Sequence, residues 1–214
     1  GMKNTRGVTL QMMKDHGRAV TSNVNKSITI IDMPYNTYVN KLQALKNAKD
    51  LIKFTKAKFL KLEINRNNLG VLKYLSDKKI NTIAHIGVTP QSYANFNKIK
   101  IAGKSNYHRK KLINLAIDAE KAGAKGILLE CVTLKTAKEI TSAVTVPTIG
   151  IGSSRFCDGQ VLVFDDLINL TQNQRLPKFV KNYLNFSNLI KKAIKNYSND
   201  VKLRKFPGHK HSYQ

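Results

Sequence analysis

Acidic side chains are scarce in this sequence. Thirteen Asp and Glu stand against 37 Lys and Arg, and the formal net charge is +24. Cysteine is scarcer still, with only Cys131 and Cys157, and Trp is absent. The two cysteines lack metal-ligand spacing and suit a reduced cytosol, a Cys131–Cys157 disulfide being the alternative. No apolar run approaches the roughly 18–20 residues of a membrane span. No secretory signal opens the chain, so a cytoplasmic protein with no membrane partner is expected. The spacing of Gly150-Ile151-Gly152-Ser153 is not that of a dinucleotide-binding loop. The charge excess has two readings. One is nucleic-acid binding, which favours clustered Arg and stacking aromatics. The other is a solvated basic surface. Here the basic residues are mostly Lys, spread over every helix with few aromatics among them, so a protein with no nucleic-acid partner is expected.

What is present is an ordinary globular composition, 42% hydrophobic in 214 residues. That length supports one substantial domain with a real core. A single domain over 1–214 is expected, with a basic tail over about 200–214. Hydrophobic periodicity predicts helices over 8–20, 37–53, 67–77, 109–122, 134–143, 179–184 and 187–197. It predicts strands over 27–32, 57–63, 80–86, 126–131, 147–151 and 160–164. Residues 93–105 form a long polar connection, of the kind that often serves as a lid. Strand and helix alternate, which argues a parallel sheet with helical crossovers. Six strands fit either an open doubly wound sheet or part of an eight-stranded barrel.

Polar residues capable of chemistry fall where apolar runs end. His85 closes the run at 80–86, before a break at Gly87 and a new turn at Thr89-Pro90. Asp32 ends another run, and Lys61 and Glu63 sit in the next. Asp32 and Glu63 are hard oxygen donors of the type Mg²⁺ prefers, though each could equally be a cap or surface charge. Lys61 and Glu63 are two residues apart and therefore share one face of their strand. They could serve a keto-acid substrate beside a metal or form an internal ion pair. Glu130 follows an apolar run, where partial desolvation suits a general base, or it could cap the following helix. His85 could polarise an oxygen or simply hydrogen-bond in the core.

Taken together, these residues and their neighbours form an ordered series of motifs. The series runs through Ile31-Asp32-Met33-Pro34-Tyr35, Leu60-Lys61-Leu62-Glu63, Ala84-His85-Ile86-Gly87-Val88-Thr89-Pro90-Gln91-Ser92 and Leu128-Leu129-Glu130-Cys131-Val132. It continues with Val146-Pro147-Thr148-Ile149-Gly150-Ile151-Gly152, Asp158-Gly159-Gln160-Val161-Leu162-Val163, Pro177-Lys178-Phe179 and Phe206-Pro207-Gly208 with His211-Ser212. In this order the chain resembles the ketopantoate (3-methyl-2-oxobutanoate) hydroxymethyltransferase family along nearly its whole length.

The resemblance implies a (β/α)8 barrel of the phosphoenolpyruvate/pyruvate-like group, with the first two strands absent from this chain. It implies transfer of a hydroxymethyl group from 5,10-methylenetetrahydrofolate to 3-methyl-2-oxobutanoate, giving ketopantoate for pantothenate and coenzyme A synthesis. It assigns Mg²⁺ to Asp32 and Glu63, substrate contact to Asp32, Lys61 and His85, and the base to Glu130. A large, decamer-type homo-oligomer is implied as well. The chain departs from the family pattern in places. An Asp-Ser pair of the second strand would precede Gly1, and a chain opening on Gly rather than Met is expected to be a piece of a longer protein. Met2 and Lys3 replace a polar pair, and Ala102 and Lys104 stand where Gln and Arg are usual. Rival readings are a related Mg²⁺-dependent carbon–carbon lyase or mutase, and a non-catalytic basic binding protein on the same fold.

Overall fold

The computed structural model describes residue 2 and residues 4–93, 100–170 and 176–213. Gly1, Lys3 and positions 94–99 of the long connection lie outside the described residues. The chain divides into two compact units, Gly1–Val161 and Leu162–Gln214. The first unit alternates helix and strand: α1 Leu10–Thr21, β1 Ile30–Asp32, α2 Lys41–Thr55, β2 Phe59–Glu63, α3 Leu69–Asp77 and β3 Thr82–Gly87. It goes on with α4 Asn106–Lys121, β4 Ile127–Glu130, α5 Leu134–Ala143, β5 Thr148–Ile151 and β6 Gly159–Gln160.

Local chemistry sets the helix starts. Thr9 caps α1 through Met12 N–H, Asn40 caps α2 through Gln43 N–H, and Ser105 caps α4 through His108 N–H. The Asn40 cap explains why α2 begins later than position 37. Thr37 instead turns its hydroxyl back onto the Pro34 carbonyl at 2.6 Å. Gly123 closes α4 with φ +98, a conformation costly for any residue with a Cβ.

All six strands are parallel and their order is β1-β2-β3-β4-β5-β6. An open doubly wound sheet reverses its strand order at a switch point, and this one never does. Right-handed crossovers taken always in one direction put every helix on the same face of the sheet. The result is a curled half-barrel. Alternation along each strand then separates two faces. Leu60, Leu62, Ala84, Ile86, Ile127 and Leu129, all fully buried, pack with Ala48, Leu51, Leu72, Leu75, Ala116, Ala137 and Ile140 of the helices. Residues 61, 63, 83, 85, 128 and 130 take the opposite face.

Two expected elements differ. The strand expected over 160–164 is only Gly159–Gln160, and Phe164 opens the short helix α6, Phe164–Leu167. The helix expected over 179–184 does not form. There the backbone is drawn back to α6, with Tyr183 N–H donating to the Leu167 carbonyl at 2.8 Å and Phe186 N–H to that of Ile168 at 2.9 Å. The second unit continues with α7, Phe186–Lys202, after which Phe206 packs edge-on against Tyr197. Both cysteines are free thiols. No helix among the described residues is long and apolar enough to cross a membrane.

Asp158 fastens β5 to the loop that follows it. Its Oδ2 accepts Thr148 N–H at 2.8 Å and the Thr148 hydroxyl at 2.9 Å, which holds its pKa below the ordinary carboxylate value. A depressed pKa contributes stability above the unfolded-state value, and that stability is lost as pH falls through the folded-state value. Asp158→Ala should therefore lower stability by about 1 kcal/mol at neutral pH, reduced from the usual charged hydrogen bond by solvent exposure. Urea titrations should show the gap between variant and parent closing as pH drops below the ordinary carboxylate range.

Candidate active site

The face opposite the helices carries the expected residues in one row. Register places Asp32 beside Lys61, Glu63 beside His85 and Gly87 beside Glu130. Lys61 Nζ lies 2.9 Å from Asp32 Oδ2 and 3.5 Å from His85 Nδ1. His85 Nδ1 is 3.9 Å from Glu63 Oε1, and Nε2 is 3.3 Å from Glu130 Oε2. Asp32, Lys61, Glu63, His85 and Glu130 thus form one contiguous cluster at the carboxyl ends of β1 to β4. Lys61 forms its close ion pair with Asp32, on the neighbouring strand. Glu130 turns toward His85, and Thr133 is the cap residue of α5.

Burial tunes these groups unequally. Glu63 is 7% exposed, and desolvation pushes its pKa up to about 7. Two hydrogen bonds from Gln91 N–H and the charge of Lys61 oppose that rise, while Glu130 and Asp32 add to it. His85 is 1% exposed, and desolvation drives its pKa down despite the neighbouring Glu130 carboxylate. It is therefore a neutral imidazole at neutral pH. The Lys61 ammonium can only donate, so Nδ1 accepts and the ring proton sits on Nε2, facing Glu130. Nε2 and Glu130 are within reach but not aligned as a hydrogen bond.

The turn after β3 is shaped by Gly87, whose φ is +103. A Cβ there would lie 2.5 Å from the Glu130 carbonyl oxygen, the same oxygen that accepts Val88 N–H at 2.8 Å. Only glycine lets β3 turn while staying bonded to the end of β4. Cys131, next to Glu130, has its thiol pushed up to about 11, chiefly by burial, which leaves it a poor nucleophile. The described part of the long connection is built onto the same rim. Ala102 N–H donates to the Cys131 carbonyl, and the hydroxyls of Thr133 and Thr136 donate to the Gly103 carbonyl.

Two residues without an assigned role also belong to this cluster. Gln91 and Tyr38 share a hydrogen bond of 2.7 Å and help to line a cavity of about 170 Å³ against Glu63, together with Tyr35, Asn65 and Asn68. The signal for Gln91 was its place in the 85–92 motif, while Tyr38 carried none.

Among the described residues, no three of His, Cys, Asp and Glu close into a complete metal cage. The donor set nonetheless suits Mg²⁺, which commonly takes one or two carboxylates and leaves its other positions to water and substrate. Among the described residues of the cluster, Asp32 pairs with Lys61, whose charge also acts on Glu63, while Glu130 faces the neutral His85, so the cleft carries surplus negative charge in a chain whose net charge is +24.

An acidic cleft with a neutral imidazole and one lysine, at the carboxyl ends of parallel strands, defines this chain as an α/β protein with an enzyme-type site. Comparison with known proteins supplies the family. The profile of ketopantoate hydroxymethyltransferases matches residues 1–209. The 3-methyl-2-oxobutanoate hydroxymethyltransferase of Pelagibacter ubique (strain HTCC1062) is 46% identical over 98% of this chain and 80% of its own length. That of Campylobacter concisus (strain 13826) is 40% identical over 99% and 78%. A candidate lyase/mutase of Burkholderia cenocepacia J2315 shares the fold, with TM-score 0.50 at 11% identity over 94% of this chain and 70% of its own. The chain belongs to the ketopantoate hydroxymethyltransferase family.

Glu63 also makes a thermodynamic prediction. A carboxyl with a raised folded-state pKa contributes stability that is present below its unfolded value and lost as pH climbs through about 7. In chelator-treated protein, Glu63→Gln should be more stable than the parent at pH 8, by on the order of 1–3 kcal/mol. The two should converge near pH 5. Thermal melts across that range would test this, and a pH-independent difference would count against it.

Proposed function

We propose that this protein transfers a hydroxymethyl group from 5,10-methylenetetrahydrofolate to 3-methyl-2-oxobutanoate, giving ketopantoate, with Mg²⁺ held by Asp32 and Glu63. The observation that carries the reading is the placement of Glu130 beside a neutral His85, across from the Asp32–Lys61 pair. Bound Mg²⁺ would supply Lewis acidity toward the keto acid's oxygens.

The chain's own residues account for the remainder. Lys61 is positioned to bind the substrate's anionic end and to stabilise charge as it develops on the keto oxygen. Glu130 takes the C3 proton. His85 Nε2 lies 3.3 Å from Oε2 of Glu130, which leaves Oε1 to accept that proton. C3 then bonds to the methylene carbon, both carbon–nitrogen bonds of that carbon break, and a water oxygen completes the hydroxymethyl group. The two folate nitrogens end protonated, one proton coming from C3 and the other from water, with no external oxidant or reductant.

We also read the half-barrel as an arc of a closed (β/α)8 barrel. The monotonic strand order supports this, as do the unpaired edges of β1 and β6 among the described residues.

Two measurements test the proposal. Asp32→Ala should abolish turnover and weaken keto-acid binding, and full parental activity in excess chelator would rule out the metal. Glu130→Gln should bind the keto acid yet slow exchange of its C3 proton into deuterated water by about two to four orders of magnitude. Exchange needs no folate, so it isolates deprotonation from transfer. Exchange at the parental rate would make Glu130 a structural carboxylate and leave His85 as the next candidate.

A further inference from the structure

We infer that Gln91 is a positioning residue that sets the spacing of the Asp32 and Glu63 carboxylates, and through it the protein's affinity for a divalent cation. The inference rests on the divalent-ion reading above.

Gln91 is 9% exposed and bonds to several separate segments, its carbonyl accepting Arg6 Nε–H at 2.9 Å. Its backbone N–H is shared by both Glu63 carboxylate oxygens, at 3.0 and 3.1 Å, which fixes the plane of that carboxylate. Its Nε2 donates to the Met33 carbonyl at 2.9 Å. Its Oε1 accepts the Tyr38 hydroxyl at 2.7 Å. Met33 directly follows Asp32 and is fully buried, and its own N–H donates to the Lys61 carbonyl at 2.9 Å. The end of β1 is thereby held on one side by β2 and on the other by Gln91. One residue joins the two strand ends that present the carboxylates, its backbone N–H on Glu63 and its side-chain amide on the Met33 carbonyl.

Packing alone would not require this arrangement. An apolar side chain of the same length would fill the space but strand a buried carbonyl and a buried hydroxyl without partners. The turn at Pro90–Ser92 would then shift to relieve them, carrying the N–H that orients Glu63. Outer partners of this kind typically govern 10–100-fold in metal affinity.

The test is Mn²⁺ binding, measured by calorimetry and by the Mn²⁺ resonance signal without substrate, at a temperature where each variant is folded. Gln91→Met should bind Mn²⁺ about 10–100-fold more weakly than the parent. Tyr38→Phe removes one anchor of the same link and should show a smaller loss in the same direction. The double variant should be no weaker than Gln91→Met, because both changes cut one connection. A purely structural role would lower the melting temperature and leave Mn²⁺ affinity unchanged, and that result would overturn the inference while leaving the metal site standing. If Gln91→Met does not fold, unchanged affinity in Tyr38→Phe would overturn it equally. A parent that binds no Mn²⁺, or an Asp32→Asn variant that binds it like the parent, would instead overturn the divalent-ion reading, and this inference with it.

Discussion

Parallel register, repeated every two residues, is the constraint on which both core and site depend. Lys61 and Glu63 face the cleft because Leu60 and Leu62 face the helices, and the same holds for His85 between Ala84 and Ile86. A slip of one residue in β2 would drive a lysine and a glutamate into the helical layer and turn two fully buried leucines outward. Each buried leucine is worth about 2–5 kcal/mol against truncation, so the hydrophobic core locks the register. The cluster of charged groups contributes little to that choice. It receives its geometry from the apolar face.

Within the cleft the charges are unbalanced. Lys61 pairs with Asp32, leaving Glu63 with hydrogen bonds from the Gln91 backbone N–H as its nearest support. Those bonds do not offset desolvation, and the Glu63 carboxyl rises to about 7. His85 answers burial the other way, by staying uncharged. Had it been protonated, the surplus negative charge would have been smaller. The neutral imidazole and the raised Glu63 carboxyl thus have one origin, burial at the strand ends.

Much of this site was legible in the sequence because strand alternation is a local rule. Asp32, Lys61, Glu63, His85 and Glu130 could be placed at strand ends from their own neighbours. The elements that were misread are those whose structure is settled at a distance. Val161 to Phe164 is apolar enough for a strand, yet ladder pairing in β6 spans two residues, and the chain then turns into α6. Residues 179–184 have helix-like spacing, but the Tyr183 N–H is taken by the Leu167 carbonyl at the end of α6. Gln91 was visible as part of a motif and silent as to role, because its partners lie 28, 53 and 58 residues away.

The stretch from His85 to Gln91 shows why one motif can be read at several depths. His85 depends on alternation and burial, which any apolar strand supplies. Gly87 depends on a backbone angle, and a single methyl group would collide with the carbonyl of Glu130. Gln91 depends on shape in three dimensions, since its amide must reach the Met33 carbonyl just past β1 and the Tyr38 hydroxyl at once. Locality decreases along these seven residues. The first could be understood from its neighbours, the second from its conformation, and the third only from the folded chain. Because β3 stays bonded to β4 through Gly87, the turn that follows is aimed at the end of β2. There the Gln91 N–H meets Glu63, so the segment that leaves Gly87 connects the Glu130 end of the cleft to Glu63.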